Sequence, residues 1–400
     1  MAGIFENDRR IVIFFILMKK AIVLGDSNSI FVKSYIENVL LGGYEVVLLQ
    51  EGFLSQSYMD FYLANDVRVE TLWIASNNWT KRIPFVRSSL GIKLWAKAMV
   101  KKYGDFDLVH VHGLSRSRCE IAMSLRKHSR KTILTVWGSD LLRRSSNQLH
   151  SFKKYYDSAD CITVATDQIK YSLFKTYGDY LEHKTYIVDF PLVILDLIDS
   201  LKGNITRADI CNVFGVENNG KINIFVGHNG RECQRHVELT EAMAELPNGI
   251  KNRINLVYTM TYGVPPQPYL NNLKRQVAQS GCQYTFIEGY QTEENIAKLR
   301  LLCDILLHAQ PTDAASASFF ECMYVGAICL NGSWLPYPFI NDYHNRVIEY
   351  DDVSQITAIV KDVVENYTEY KAKYSINEGF RNGYPSAKEN AKIWKQIMEF

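Results

Sequence analysis

Ala21-Ile-Val-Leu24, the helix-patterned Phe31-Val-Lys-Ser-Tyr-Ile-Glu-Asn-Val-Leu-Leu41 closed by Gly42-Gly43, and Glu45-Val-Val-Leu-Leu49 together decide the fold class of this chain. The outer runs are short and apolar throughout, as strands covered on both faces are. The segment between them repeats apolar residues at helical spacing and stops at glycines, which end helices by adopting backbone conformations that other residues resist. Strand, helix and strand in this order make a βαβ unit, whose crossover makes the two strands parallel. Further apolar runs at 108–111, 132–136, 161–165 and 187–191 leave room for crossover helices, so the unit extends into a parallel, doubly wound sheet.

Beyond 191 the sequence is polar and irregular as far as Asn218-Asn219-Gly220, and the alternation then restarts. Strands are predicted at 222–226, 255–258, 284–287, 305–307, 327–330 and 347–348. Helices are predicted between and after them at 236–246, 269–279, 293–302, 315–324 and 354–367. The predicted architecture is α/β, with two Rossmann-like doubly wound domains facing across a cleft. They cover 1–190 and 221–400, with 191–220 as an interdomain linker and the last helix packing back on the first domain. Ligands of such sheets bind outside the carboxyl ends of the strands.

The 400 residues, 47% hydrophobic and 22% charged, have the balance of a soluble globular chain. The longest apolar run, residues 11–18, is far short of the roughly 20 residues that cross a bilayer, which excludes an integral membrane helix. Arg9-Arg10 ahead of that run imitates a signal peptide, but no small-residue cleavage site follows. Met18 is therefore expected as an alternative start, with residues 1–17 an extension. Cysteines 119, 161, 211, 233, 282, 303, 322 and 329 lie in apolar segments without Cys-x-x-Cys spacing, consistent with reduced thiols in a cytoplasm. A net charge of +2 excludes a globally basic nucleic-acid binder. The charge is nonetheless uneven: residues 1–190 carry 26 basic and 19 acidic side chains, and residues 191–400 carry 19 and 24.

In the second half, His308-Ala-Gln-Pro-Thr-Asp313-Ala-Ala-Ser316-Ala317-Ser318-Phe-Phe-Glu321 reads as strand, loop and helix. Small residues opening a helix present free backbone N–H groups and the positive end of the helix dipole, which suits a diphosphate. The spacing of Asp313 and Glu321 resembles the signature of retaining, family 4-type glycosyltransferases of GT-B fold: an acid, seven residues, then Glu. That resemblance implies Asp313 on the sugar and Glu321 on the ribose of a nucleotide-sugar donor, with Ser316, Ala317 and Ser318 around the diphosphate. Gly227-His-Asn229-Gly230-Arg231-Glu-Cys-Gln-Arg235-His236 follows the first strand of this half, where the same family has a glycine turn with basic residues gripping the diphosphate. Arg231 and Arg235 are both candidates for that grip. The same turn, with His236 and with Met260-Thr261-Tyr262-Gly263 after the next strand, is similar to the fucosamine transferase of enterobacterial common antigen assembly, which inverts.

In the first half, Asp107-Leu-Val-His-Val-His112-Gly113 and Thr135-Val-Trp137-Gly-Ser-Asp140 end two strands and resemble family 4 enzymes at the cleft. His112 and Asp140 become candidate catalytic groups beside Asp313. Trp137, with Asp26 and Ser27 after the first strand, belongs to the acceptor side. Asp105-Phe-Asp107 imitates a metal motif but precedes its strand, so no catalytic metal and no cofactor are expected.

Residues 81–103 hold seven Lys or Arg and no acid, with Trp95 among them. A helix of that kind can lie on an anionic membrane face or be a plain solvated face. The resemblance implies a UDP-, GDP- or TDP-sugar donor and a glycan or polyprenyl-linked acceptor in bacterial surface-polysaccharide assembly, at the cytoplasmic face of the inner membrane. A nucleotide-sugar epimerase of the same fold and a non-catalytic sugar-binding module are the alternatives.

Overall fold

A computed structural model of the chain describes residues 18–72, 90–263, 265–313, 316–335, 337, 347–374 and 386–399. The expected extension 1–17, residues 81–89 of the basic segment and residue 315 of an expected helix lie outside them. The first sheet contains β1 (Lys19–Leu24), β2 (Tyr44–Gln50), β3 (Arg68–Thr71), β4 (Phe106–His112), β5 (Ser129–Val136), β6 (Cys161–Val164) and β7 (Thr185–Ile187), in the order β3-β2-β1-β4-β5-β6-β7. The second contains β8 (Ile222–Val226), β9 (Ile254–Met260), β10 (Gln283–Glu288), β11 (Ile305–His308), β12 (Ile328–Gly332) and β13 (Val347–Tyr350), in the order β10-β9-β8-β11-β12-β13.

Pairings are parallel in both sheets, with Ala21 opposite Leu108 and Ile305 opposite Ile224. The central strands are buried along their lengths because helices cover both faces. Each sheet builds outward from its first strand in one direction and then restarts on that strand's other side. The loops after β1 and β4, and after β8 and β11, therefore part in opposite directions and leave a crevice between them.

Several elements differ from expectation. The strand predicted at 187–191 is β7, which ends at Ile187, and the half-exposed edge strand β3 was not predicted. The irregular linker expected at 191–220 instead holds two helices, Ile194–Leu201 and Arg207–Phe214. Ile194, Leu195, Ile198 and Ile210 pack with Leu299 and Leu302 against the second sheet, and a Thr206–Asp209 capping box starts the second helix. The last helix, Ala387–Glu399, lies on the first sheet through Ala391, Trp394 and Ile397, and Trp394 Nε1 donates to Asp189 O at 2.9 Å.

The described part of the basic segment is the helix Gly91–Tyr103. Trp95, which only the membrane-face reading puts at a bilayer surface, is fully buried with Ile92, Ala96 and Met99, and its Nε1 donates to Thr71 O. Lys93, Lys97 and Lys101 line the exposed face with Leu90 and Leu94, while Lys102 pairs with Glu70 at 2.5 Å.

Candidate active site

The turn after β8 is built around Gly227, whose φ of +69° is left-handed and where a Cβ would lie 2.9 Å from Gln234 Oε1. Asn229 Oδ1 accepts from Arg231 N at 2.9 Å, and Gly230 N donates to Tyr262 O at 2.8 Å. Asn229 Nδ2 donates to the Tyr262 hydroxyl at 3.2 Å, so the loops after β8 and β9 are stitched together. His236 Nε2 lies 2.9 Å from Asn229 O. Burial lowers the His236 pKa to about 4 against the opposing effect of that bond, so the ring is neutral and Nε2–H is the donor.

Arg231 runs along the backbone of Gly263, where a Cβ would come within 2.4 Å of its Cγ. Its charge acts on Tyr262 and His228. Arg235, left-handed at φ +59°, pairs with Glu238 at 3.3 Å, and its charge acts on Tyr350 and Asp352 at the sheet edge. Of the two candidate arginines, Arg231 packs on the loop after β9 and Arg235 turns toward the sheet edge. Thr261 is buried, with an Oγ1 that has no hydrogen-bond partner among the described residues.

After β11, Asp313 Oδ2 accepts from the Tyr337 hydroxyl at 2.9 Å and from Gln310 Nε2 at 3.2 Å. Burial and the Asp313 carboxylate together hold the Tyr337 phenol protonated. Gln310 Nε2 also lies 3.2 Å from His308 Nε2, and His308 Nδ1 lies 3.0 Å from Asn331 Oδ1. His308 stacks on His228 at 5.4 Å, and burial depresses the pKa of both rings.

The helix Ala317–Tyr324 is capped by Ser316, whose Oγ accepts from Phe319 N at 3.1 Å. Glu321 sits inside it among buried Phe319, Phe320, Cys322 and Met323. A carboxylate tolerates such burial when it is paired. Its partner is Arg300, from the helix Glu293–Leu302, whose Nε donates to Glu321 Oε2 at 2.8 Å and whose NH2 donates to Ser318 Oγ at 2.7 Å. Burial works against the Arg300 charge, but Glu321 more than restores it and raises the pKa. Glu321, expected as a ribose ligand, is therefore first the counter-ion of a buried arginine, and Ser318 is that arginine's second acceptor.

On the first sheet the expected catalytic pair, His112 and Asp140, is buried. Asp140 is buried; its Oδ2 accepts from Leu114 N at 2.7 Å and its Oδ1 from Trp137 N at 2.9 Å. It ties the loops after β4 and β5 together. His112 is fully buried beside His110, Tyr35, Phe190 and Trp394. Burial, then the Arg118 charge, lowers its pKa to about 3, so it is no base poised near neutrality. Asp26 is exposed and accepts from Asn28 N at 3.0 Å, while Ser27 is buried with its carbonyl on the Tyr62 hydroxyl. Trp137 packs edge-on against Phe31 and Phe190. Asp105 and Asp107 lie at the amino end of β4, on His128, Arg130 and Lys20, at the end of the sheet away from the cleft. Among the described residues, no group of three His, Cys, Asp or Glu side chains is arranged to hold a metal ion.

Bridges from the first sheet cross the cleft. Lys33 Nζ meets Glu293 at 2.5 Å, and the Tyr58 and Tyr290 hydroxyls are bonded. Arg143, after β5, donates from Nε to Thr312 Oγ1 at 2.9 Å and from NH2 to Gln310 Oε1 at 3.0 Å. Arg143, Arg300, Gln310 and Tyr337 were not predicted. Arg300, in the apolar run Leu299-Arg300-Leu301-Leu302, was detectable as a charge on a buried helix face. Arg143 lies three positions after Asp140 of the quoted motif but carries no spacing signal.

No family model and no curated protein sequence matches the chain. Solved structures do. HepE of Anabaena, in complex with UDP and glucose, superposes with a TM-score of 0.68 at 12% identity over 96% of this chain and 100% of that one. A glycosyltransferase of Rickettsia africae gives 0.68 at 17% identity over 96% and 98%. The UDP-GlcNAc 2-epimerase of Neisseria meningitidis, bound to UDP-GlcNAc, gives 0.62 at 12% identity over 96% and 100%. The fold is thus the two-sheet α/β arrangement of GT-B proteins, as predicted.

Proposed function

We propose that this chain is a glycosyltransferase that takes a sugar from a nucleoside-diphosphate sugar, held at the strand ends of the second sheet, and passes it to an acceptor held by the first. The observation that carries this reading is the meeting of the loops after β8 and β11 at Gln310. Its amide oxygen takes Cys233 Sγ from one loop and Arg143 from the facing domain, while its nitrogen reaches Asp313. The Gly227 turn with Arg231, and the capped helix behind Ser316, offer cations and backbone N–H groups to a diphosphate. Asp313, fixed by Tyr337 and Gln310, is placed to orient sugar hydroxyls. The C1–O bond to the diphosphate breaks, the acceptor oxygen bonds to C1, and the acceptor proton leaves to solvent or product phosphate.

Support for a uridine nucleotide comes from neighbours of this fold whose structures contain UDP or UDP-GlcNAc. The acid spacing favours retention as in family 4; the Gly227–His236 and Met260–Gly263 turns favour inversion of the fucosamine-transferase kind. Asp26 and Trp137 sit on the acceptor side, for a glycan or polyprenyl-linked acceptor of surface polysaccharide. Among the described residues no helix is long and apolar enough to cross a membrane. Membrane contact would be peripheral, through Lys93, Lys97 and Lys101.

A second reading, epimerisation at the sugar, is kept by the 2-epimerase neighbour. Incubating the enzyme with UDP-sugars, with and without glycan or polyprenyl acceptors, tests both. Nucleoside diphosphate release that depends on acceptor supports transfer; an altered nucleotide-sugar formed without acceptor supports epimerisation. Activity unaffected by excess EDTA is expected, since no metal enters the proposed chemistry.

A further inference from the structure

The positive charge available to a diphosphate at this site is smaller than its count of basic residues. Arg300 is neutralised by Glu321 and Arg235 by Glu238. His228, His236 and His308 are neutral because burial depresses their pKa values. Among the described arginines and lysines at the strand-end loops of the second sheet, Arg231 alone remains without a carboxylate partner. A leaving nucleoside diphosphate carries more negative charge than one guanidinium offsets.

Arg143 supplies the missing cation from the other domain. It caps the short helix Ser139–Leu142 after β5 and is exposed at the cleft. Its partners are neutral: Thr312 Oγ1 and O, Gln310 Oε1, and the weak acceptor Cys233 Sγ at 3.8 Å. No carboxylate among the described residues pairs with it. Three of these partners' positions, 233, 310 and 312, belong to the two loops that cradle the proposed diphosphate. A guanidinium held only by neutral oxygens keeps its full attraction for an oxyanion, and its planar fork matches phosphate oxygens.

We propose that Arg143 is a donor-binding residue contributed across the cleft, which exchanges its neutral partners on the loops after β8 and β11 for the diphosphate of the nucleotide-sugar. The inference rests on the nucleotide-sugar reading above. It goes further by making the acceptor-side domain part of the donor site, so that the diphosphate itself holds the two domains together.

Titration calorimetry with UDP, GDP, dTDP and the matching uncharged nucleosides tests it on the wild type, Arg143→Gln and Arg143→Lys. Arg143 is exposed, so both variants fold. Arg143→Gln is expected to weaken the preferred diphosphate by about tenfold or more and to leave the nucleoside within about twofold, because a charged hydrogen bond is lost only from the phosphate end. The salt dependence of diphosphate binding becomes shallower. Arg143→Lys, which keeps the charge, recovers part of the loss. Equal losses for diphosphate and nucleoside, or a Gln variant with wild-type diphosphate affinity and salt dependence, would overturn the Arg143 assignment while leaving the nucleotide reading in place. A wild type that binds none of the three diphosphates overturns both.

Discussion

Glu321 and Cys233 show how single residues report on this site. Glu321 lies 21 positions from Arg300, and both side chains are nearly inaccessible, at 7% and 4%. Removing one member of such a pair strands the other without a counter-ion. Glu321→Gln is therefore expected to destabilise the fold by about 3–5 kcal/mol, read in urea unfolding, whatever it does to nucleotide affinity. Unfolding at the wild-type midpoint would mean that Arg300 does not depend on this carboxylate. Cys233 is the half-buried thiol among eight free cysteines, the other seven being buried. It sits between Arg143 and Gln310 at the proposed diphosphate. Maleimide should label it first, and a bound nucleoside diphosphate should slow that labelling; equal rates with and without nucleotide would place the ligand elsewhere.

At the scale of elements, strands covered on both faces were legible because their apolar runs need no partner to be recognised: β1, β8, β9 and β11 lie close to where the pattern puts them. The edge strand β3, Arg68-Val-Glu-Thr71, lacks that signal because half of it faces water. The helix Ile194–Leu201 falls in the expected linker although its apolar spacing is helical, because it is short and the chain beyond it runs into the turn residues Asn218-Asn219-Gly220. The turns and the Asp313 loop of the site were legible as local motifs. The Arg300–Glu321 pair and Arg143 were not, because each depends on elements distant in sequence being brought together. The helix Gly91–Tyr103 carries both lessons: its basic pattern was visible, but the destination of Trp95 was not. Trp95→Ala is expected to cost about 3–5 kcal/mol as a core cavity. Replacing Lys93, Lys97 and Lys101 together by Gln should leave stability nearly unchanged while reducing any binding to anionic vesicles at low salt. Wild-type protein that ignores such vesicles would reduce that face to a solvated one.

Across the whole molecule, both domains bury imidazoles whose pKa values are pushed below the ordinary 6.5: His110 and His112 in the first, His228, His236 and His308 in the second. Below about 6.5 the unfolded chain binds protons that the folded one refuses, so stability falls as pH drops toward about 4 for His236 and about 3 for His112. Melting temperature should decline steadily from pH 7 to pH 4.5; a flat profile would mean these rings are already protonated when folded.

The two domains also meet through Lys33 and Glu293, Tyr58 and Tyr290, and Arg143 with Thr312. A ligand between the sheets must therefore be felt on both sides. Hydrogen exchange with and without saturating UDP, or the diphosphate preferred in its place, tests this most directly. The account predicts slowed exchange in the loops at 227–235 and 310–313 and in the helix Ala317–Tyr324, together with 139–144 on the facing domain. Nucleotide binding that leaves these four segments unchanged would contradict it.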